Sequence, residues 1–557
     1  MTNKPVTALL AITLSSAAFV MPAAVSAPAA TPVPTNVPAA KPAPAPAPAP
    51  EINWVGEFRI DGQSTPIVLR DRSATPGAAS GMDVPLKGAR DIPLKNVKIS
   101  GGSSHFALQG GPDLYVFDGK RTHHGISGTV RQGRKTGEFT LVQTQQASPA
   151  LVRELAGSYQ LAPGRIVDMG PMDENGGQLV YLDHKTRRTG PLISLSDTRF
   201  AAGPSLGVAY PFTVRAEFIR DKRGLVASMR WKEGGTTLHA QKIAPHRIED
   251  VTVVNGDIML KGTLSVPLTP GPHPAIVLAH GSGDATRNVG MWNTFFVRQG
   301  IAVLSLDKRG AGASTGDWHT ASMDDIASDW LAGVAMLKAR ADIDPKRIGV
   351  HGSSQGGWTG SLMAARSPDI AYLIVRAGSA NSVIDTMVHE IGSSVREAGF
   401  SDTDAKEAEA ASRRLFELAG ASWAEFEAVS RPLKAKPWAE AAWVVHMSEK
   451  GWGRPWSKLN ASFDPTATLA TVKVPVLWFL GDLDHNVPSA ATAVRLEQAR
   501  AASGNKDFSV VRLPDAGHSF LETKTGKGSE FPLLTHAAAA YWNEMEAWLR
   551  DRRFSQP

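Results

Sequence analysis

RIGVHGSSQGGW, residues 347–358, reads as a strand, a sharp turn and the first residues of a helix. At its centre Gly352-Ser353-Ser354-Gln355-Gly356 is a G-x-S-x-G pentapeptide. The turn must lift a serine hydroxyl above a sheet while the backbone passes very close to its neighbours, so a glycine is needed on either side. Position makes Ser354 the nucleophile and Ser353 a small residue tolerated in the turn. A neutral hydroxyl attacks poorly. It needs a base, and the base needs a carboxylate to orient it.

Both partners are expected downstream, in the order Ser…Asp…His, each just after a strand. VPVLWFLGD (474–482) is a buried strand by length and β-branched content, and Asp484 follows it in GDLDHNVP (481–488). Asp482, two residues away, is the rival acid. FSVVRLPD (508–515) is the next strand, and His518 follows it in DAGHSF (515–520). His485 adjoins the acid instead of following the last strand, which makes it a poor base. The oxyanion that develops on attack needs fixed N–H donors. One is expected from Gln355, the residue after the nucleophile. The other is expected from the HGSG loop that ends HPAIVLAHGSG (273–283), either Gly281 or Ser282, with His280 shaping that loop.

Upstream of the pentapeptide, IAVLSLD (301–307) reads as a strand. SMDDIASDWLAGVAMLKAR reads as an amphipathic helix opened by the capping pair Ser322 and Asp325. AYLIVRAG (371–378) is a further buried strand. Strands alternating with helices define an α/β domain with a mostly parallel, doubly wound sheet. GAGAST (310–315) lacks the third glycine of a dinucleotide loop, since Thr315 stands there, so it reads as a connector.

HGSG, SLDKRGAGASTG (305–316), HGSSQGG, GDLDHNVP and AGHSF, in this order, resemble the α/β-hydrolase superfamily. They are most similar to its exported bacterial esterases and its prolyl-oligopeptidase-like or dienelactone-hydrolase-like members. The resemblance spans residues 248–552. It implies a serine hydrolase working through an acyl-enzyme with the triad Ser354, Asp484 and His518, with no cofactor and no metal. No propeller repeat precedes the domain, which favours a carboxylesterase over a serine peptidase of aminopeptidase or acyl-peptide hydrolase type. The family also places a lid between the strands at 371–378 and 474–482. Residues 379–471 stand there as a helical insertion with Trp423, Trp438, Trp443, Trp452 and Trp456. These rings would either line a substrate site or glue the insertion to the core.

Residues 51–147 and 148–245 are two β-rich modules of short, Gly-punctuated strands, such as WVGEFRI (54–60) and GQLVYLD (177–183). Sandwiches or barrels are expected. His105, His123 and His124 do not complete a ligand set. These modules leave open an association with the cell envelope and a third reading, an envelope or polysaccharide-binding protein whose hydrolase domain is secondary or inactive. Lys4, the apolar run 6–20 and Val25-Ser26-Ala27 make residues 1–27 a signal peptide, and 28–50 a Pro/Ala-rich linker. The chain is therefore expected to be exported, to periplasm or medium, with no transmembrane segment once processed. Its 557 residues contain no cysteine, which excludes disulfides and thiolate chemistry. The net charge is +6, of which Lys4 and Lys41 supply two in the acid-free first fifty residues, leaving +4 for the rest. So small an excess argues against a nucleic-acid partner, and the small ester or peptide expected as substrate is what the resemblance implies.

Overall fold

The computed structural model describes residues 51–556 except Pro76, Gly101, His123, His124 and Trp452. The signal-like segment 1–27, the linker 28–50, two of the three histidines and one of the five tryptophans therefore lie outside the described residues. Among those described, no helix is long and apolar enough to cross a membrane.

The first β-rich module is a closed barrel of eight antiparallel strands between Ile52 and Gln143. Closure pairs its first strand with its last, Trp54 opposite Gln143, so no edge remains to recruit another chain. Eight strands enclose a space that side chains can just fill. Here Trp54, Phe58, Phe106, Phe117 and Phe139 fill it, with Phe106 stacked on Phe117 at 4.8 Å between ring centres. His105 meets Asp118 through Nδ1 at 2.6 Å, and Asp118 also takes Arg131, so this histidine belongs to a surface polar cluster.

The second module forms another closed eight-stranded barrel, from Gly157–Ala162 to Thr236–Ile243, introduced by the helix Pro149–Leu155. Ser148 caps that helix and Pro149 opens it, where a missing N–H costs nothing. Tyr159, Tyr181, Phe200 and Trp231 fill the interior.

The third part is built on an eight-stranded sheet. Its strands are β1 (His246–Asn255), β2 (Ile258–Pro267), β3 (His273–Ala279), β4 (Ala302–Leu306), β5 (Ile343–Ser353), β6 (Tyr372–Arg376), β7 (Val476–Gly481) and β8 (Phe508–Leu513). They lie in the order β1-β2-β4-β3-β5-β6-β7-β8, with β2 antiparallel to both its neighbours, β1 and β4, and every other neighbouring pair parallel. Strands such as β3 and β7 are buried along their whole length because helices cover both faces. One face carries α2 (Met323–Lys338) and α3 (Gln355–Arg366), the other α1 (Met291–Arg298) and α10 (Ala539–Asp551). The capping box of Ser322 and Asp325 opens α2.

Between β6 and β7 run helices α4 (Val383–Glu397), α5 (Asp402–Glu417), α6 (Trp423–Leu433), α7 (Gly453–Asn460) and α8 (Thr466–Leu469); α9 (Ser489–Ser503) follows β7. The inserted helices have a core of their own, built around Phe416, Phe426 and Trp438. Trp423 stacks on Phe426 and Trp443 meets Phe416 edge-on, while Trp456 joins the core of the main sheet. The described tryptophans thus hold the insertion together and tie it to the sheet.

The second barrel and the third part share a polar seam. Asp168, fully buried on the strand Arg165–Met172, accepts from Ser158 Oγ at 2.5 Å and meets His184 Nε2 at 2.7 Å and Arg298 of α1 at 3.2 Å. Burial alone would raise its pKa, but Arg298 and His184 outweigh burial and hold it below the usual carboxylate range. Asp168→Asn keeps the shape and removes the charge, leaving Arg298 without its buried partner. It is expected to cost about 2 kcal/mol in urea unfolding at pH 7. A depressed carboxylate contributes stability above its unfolded pKa, so the difference between the two proteins should shrink as pH falls below about 4. An equal difference at pH 7 and pH 3 would exclude a charged Asp168.

Candidate active site

The turn between β5 and α3 holds Ser354 at φ 53° and ψ −114°, a region that non-glycine residues avoid. Its neighbours make that geometry attainable. A methyl on Gly352 would overlap the carbonyl of Gly356, and one on Gly356 would overlap the carbonyl of Ala279 at the end of β3. The elbow is therefore packed backbone to backbone against the strand whose loop carries Gly281. A methyl on Gly281 would stand 3.4 Å from Ser354 Cβ, which places the HGSG loop beside the hydroxyl.

Asp484 and His518 meet at the same end of the sheet. His518 Nδ1 lies 2.8 Å from Asp484 Oδ2. A carboxylate can only accept, so Nδ1 carries the hydrogen, and in the neutral ring Nε2 is the acceptor. The other carboxylate oxygen of Asp484 accepts the backbone N–H groups of Asn486 at 2.8 Å and Val487 at 2.9 Å. Asp482 is engaged elsewhere, accepting from Arg512 Nε at 2.7 Å. His485 faces Glu397 of α4.

Gln355 is the first residue of α3, so its N–H has no carbonyl four residues back to bond. Among the described residues neither that N–H nor that of Ser282 has an acceptor. The choice between Gly281 and Ser282 turns on a lysine. Lys308, just after β4, donates through Nζ to Gly281 O at 3.1 Å, to Gly283 O at 3.4 Å and to Gln355 Oε1 at 2.6 Å. In a trans peptide the carbonyl and the next N–H point in opposite directions. Anchoring Gly281 O on Lys308 therefore aims the Ser282 N–H away from the lysine. Burial pulls Lys308 down to about 7, and its ammonium also lies 4.9 Å from the Trp318 ring centre. His280 reaches Leu306 O through Nε2 at 2.6 Å, and burial lowers its pKa, so it braces the loop as a neutral ring.

Three more side chains converge here that sequence reasoning did not single out. Arg376, at the end of β6, donates to Ser353 Oγ at 2.6 Å and to His518 O at 3.2 Å, tying the elbow to the loop of the histidine. Its guanidinium lies between the Trp292 and Phe520 rings, at 5.0 and 5.2 Å. Glu390 of α4 accepts from Asn486 Nδ2 at 3.0 Å, and burial raises its pKa while nearby His518 opposes that rise. Asp173, from the second barrel, holds the far end of the HGSG loop. Lys308 stands in SLDKRGAGASTG and Arg376 ends the strand AYLIVRAG, neither marked there as a site residue, while Glu390 and Asp173 lie in no recognisable local pattern.

Residues 276–525 match the model of the alpha/beta hydrolase family. With the strand order above, this places the third part of the chain in the α/β-hydrolase superfamily. A quorum-quenching protein, AidA, of Acinetobacter baumannii is 34% identical over 124 residues, 22% of this chain and 40% of that protein. Esterase EstD of Thermotoga maritima is 30% identical over 158 residues, 26% of this chain and 37% of that one. The chain thus spans about two fifths of the length of these curated relatives. Among solved structures, a Pyrococcus furiosus esterase, PF2001, overlays 56% of this chain and 92% of its own with a TM-score of 0.36 and 18% identity. A 2,6-dihydroxy-pseudo-oxynicotine hydrolase overlays 55% and 68% with a TM-score of 0.36 and 17% identity.

Proposed function

We propose that the protein is a serine esterase that cleaves carboxylic esters through an acyl-enzyme. The observation that carries this reading is the Asp484–His518 pair, 2.8 Å apart, at the end of the sheet where Ser354 sits in its strained turn. Ser354 Oγ attacks the acyl carbon and its proton passes to His518 Nε2. Asp484 holds the ring in the needed tautomer and stabilises the imidazolium. The oxyanion takes the N–H groups of Gln355 and Ser282. His518 then gives its proton to the departing alkoxide, and a water activated by the same ring releases the acid. The name of the Thermotoga maritima relative agrees with an ester substrate. Amide cleavage would use the same groups, so a serine peptidase is the runner-up, and we take the helical insertion as the lid. Export guided by residues 1–27 remains part of the proposal.

The test is a fluorophosphonate probe on native full-length protein, read by peptide mass spectrometry. A single adduct on Ser354 that disappears after prior unfolding is the expected result, together with faster turnover of a nitrophenyl ester than of a matched nitroanilide. An adduct elsewhere, or none on Ser354, would remove the serine mechanism and return attention to binding by the β-barrels.

A further inference from the structure

One hairpin of the second barrel reaches the loop that follows β3. Its strands Arg165–Met172 and Gln178–Asp183 pair up to Met172 opposite Gln178, and the turn Asp173–Asn175 projects beyond them. Asp173 closes on the loop that follows β3. Its Oδ2 accepts the Thr286 N–H at 2.7 Å, and its Oδ1 accepts Thr286 Oγ1 at 2.9 Å and Asn288 Nδ2 at 3.1 Å. Its own N–H donates to Asn288 O at 3.1 Å, and the Gly290 N–H donates to Pro171 O at 2.6 Å. Gly170 permits this approach, since a methyl there would overlap the Gly290 carbonyl.

The loop so held, 280–290, is the one that carries Gly281 and Ser282 beside Ser354. Lys308 fixes its near end from within the domain, and its far end is fixed by a carboxylate from another barrel. The same barrel also grips the chain after His518. Ser205 Oγ donates to Pro532 O at 2.7 Å, Thr189 N–H to Thr535 O at 2.9 Å, and Arg187 pairs with Glu522. A connector only tethering two domains would have no cause to clasp both of these loops.

We propose that the second barrel is a working part of the active site, with Asp173 a positioning residue that sets the oxyanion loop. This inference rests on the serine-esterase reading above. A donor aimed at the oxyanion stabilises the transition state far more than the bound ester, so an error in its position appears in kcat and not in KM.

Asp173→Ala in the full chain is expected to lower kcat on an activated ester by about tenfold to a hundredfold, less than deletion of an oxyanion donor itself. KM should be unchanged, and a trifluoromethyl ketone, which forms the tetrahedral adduct, should bind weaker by the same factor as kcat falls. Asp173→Asn keeps Oδ1 as an acceptor for Thr286 Oγ1 and Asn288 Nδ2 but turns an amide N–H toward the Thr286 N–H that Oδ2 accepted, so it should recover only part of the loss. Simple loosening of the barrel would instead lower the melting temperature, and the conservative variant would not separate kcat from KM. If Asp173→Ala does not fold, Thr286→Val removes the Oγ1 bond to Asp173 and the Asn288 N–H bond it accepts, keeps the Thr286 N–H on Asp173, and should give the same selective but smaller fall in kcat. Unchanged kcat and ketone affinity in the folded variants would overturn the clasp while leaving the esterase reading intact. A wild-type protein that neither labels at Ser354 nor turns over ester would overturn both, since there would be no oxyanion to position.

Discussion

Ser354→Ala should lower kcat on a nitrophenyl ester by about 10⁵-fold or more while the protein still unfolds cooperatively. His518→Ala should cost as much, and the double variant little more, because the two groups act as a unit. The carboxylate gives the sharper comparison. Asp484→Asn replaces an acceptor with an amide that can donate to Nδ1, which favours the tautomer with its hydrogen on Nε2 and spoils the base. A fall of about 10⁴-fold is expected. Asp482→Asn only loosens a contact with Arg512, and its kcat should stay close to wild type. If the second variant were dead and the first active, the acid would be Asp482 and the 2.8 Å contact of Asp484 with His518 would be structural.

The parts of this site that could be read from the chain are those written locally. The elbow, the acid loop and the histidine loop each follow a strand of the sheet within a few residues, although β8 is buried only at Phe508 and Leu513. The strand alternation after β1 likewise announces a doubly wound sheet. Barrel closure is different in kind. It joins Trp54 to Gln143, and nothing in either strand marks the other, so the same strands also suited a sandwich. Arg376 is equally illegible: it looks like the polar end of a strand until the fold brings Ser353 and the carbonyl of His518 to it. Asp173 is more than a hundred residues from the loop it holds. The tryptophans of the insertion were visible as a cluster, but a cluster in sequence has no direction. Only packing turns Trp438 inward and Trp456 toward the sheet.

Lys308 is the residue for which burial and chemistry pull hardest against each other. Its ammonium lies in the interior, bonded to two loop carbonyls and the Gln355 amide with the Trp318 ring beside it, and among the described residues no carboxylate forms an ion pair with it. Such a charge is costly to bury, and its retention is accounted for by what it holds: both expected oxyanion donors sit on groups that it bonds. Lys308→Met fills the space but frees the Gly281 peptide and the Gln355 side chain. A loss of about 10²–10³-fold in kcat is expected, the size seen when an oxyanion donor is removed. Stability should move the other way. Burial lowers the folded pKa to about 7, against about 10.5 unfolded. Between those values the unfolded chain holds a proton that the folded one has shed, so wild-type stability gains with rising pH across that window. Below about pH 7 both states are protonated and the full cost of the buried charge remains. The methionine variant removes that cost, so its urea midpoint should exceed that of the wild type most at pH 6 and lose ground by pH 9. A midpoint difference that stays constant from pH 6 to pH 9 would show that the amine does not titrate there. An unchanged kcat would show that the HGSG loop keeps its geometry without the lysine, which would leave Asp173 and the second barrel as its principal support.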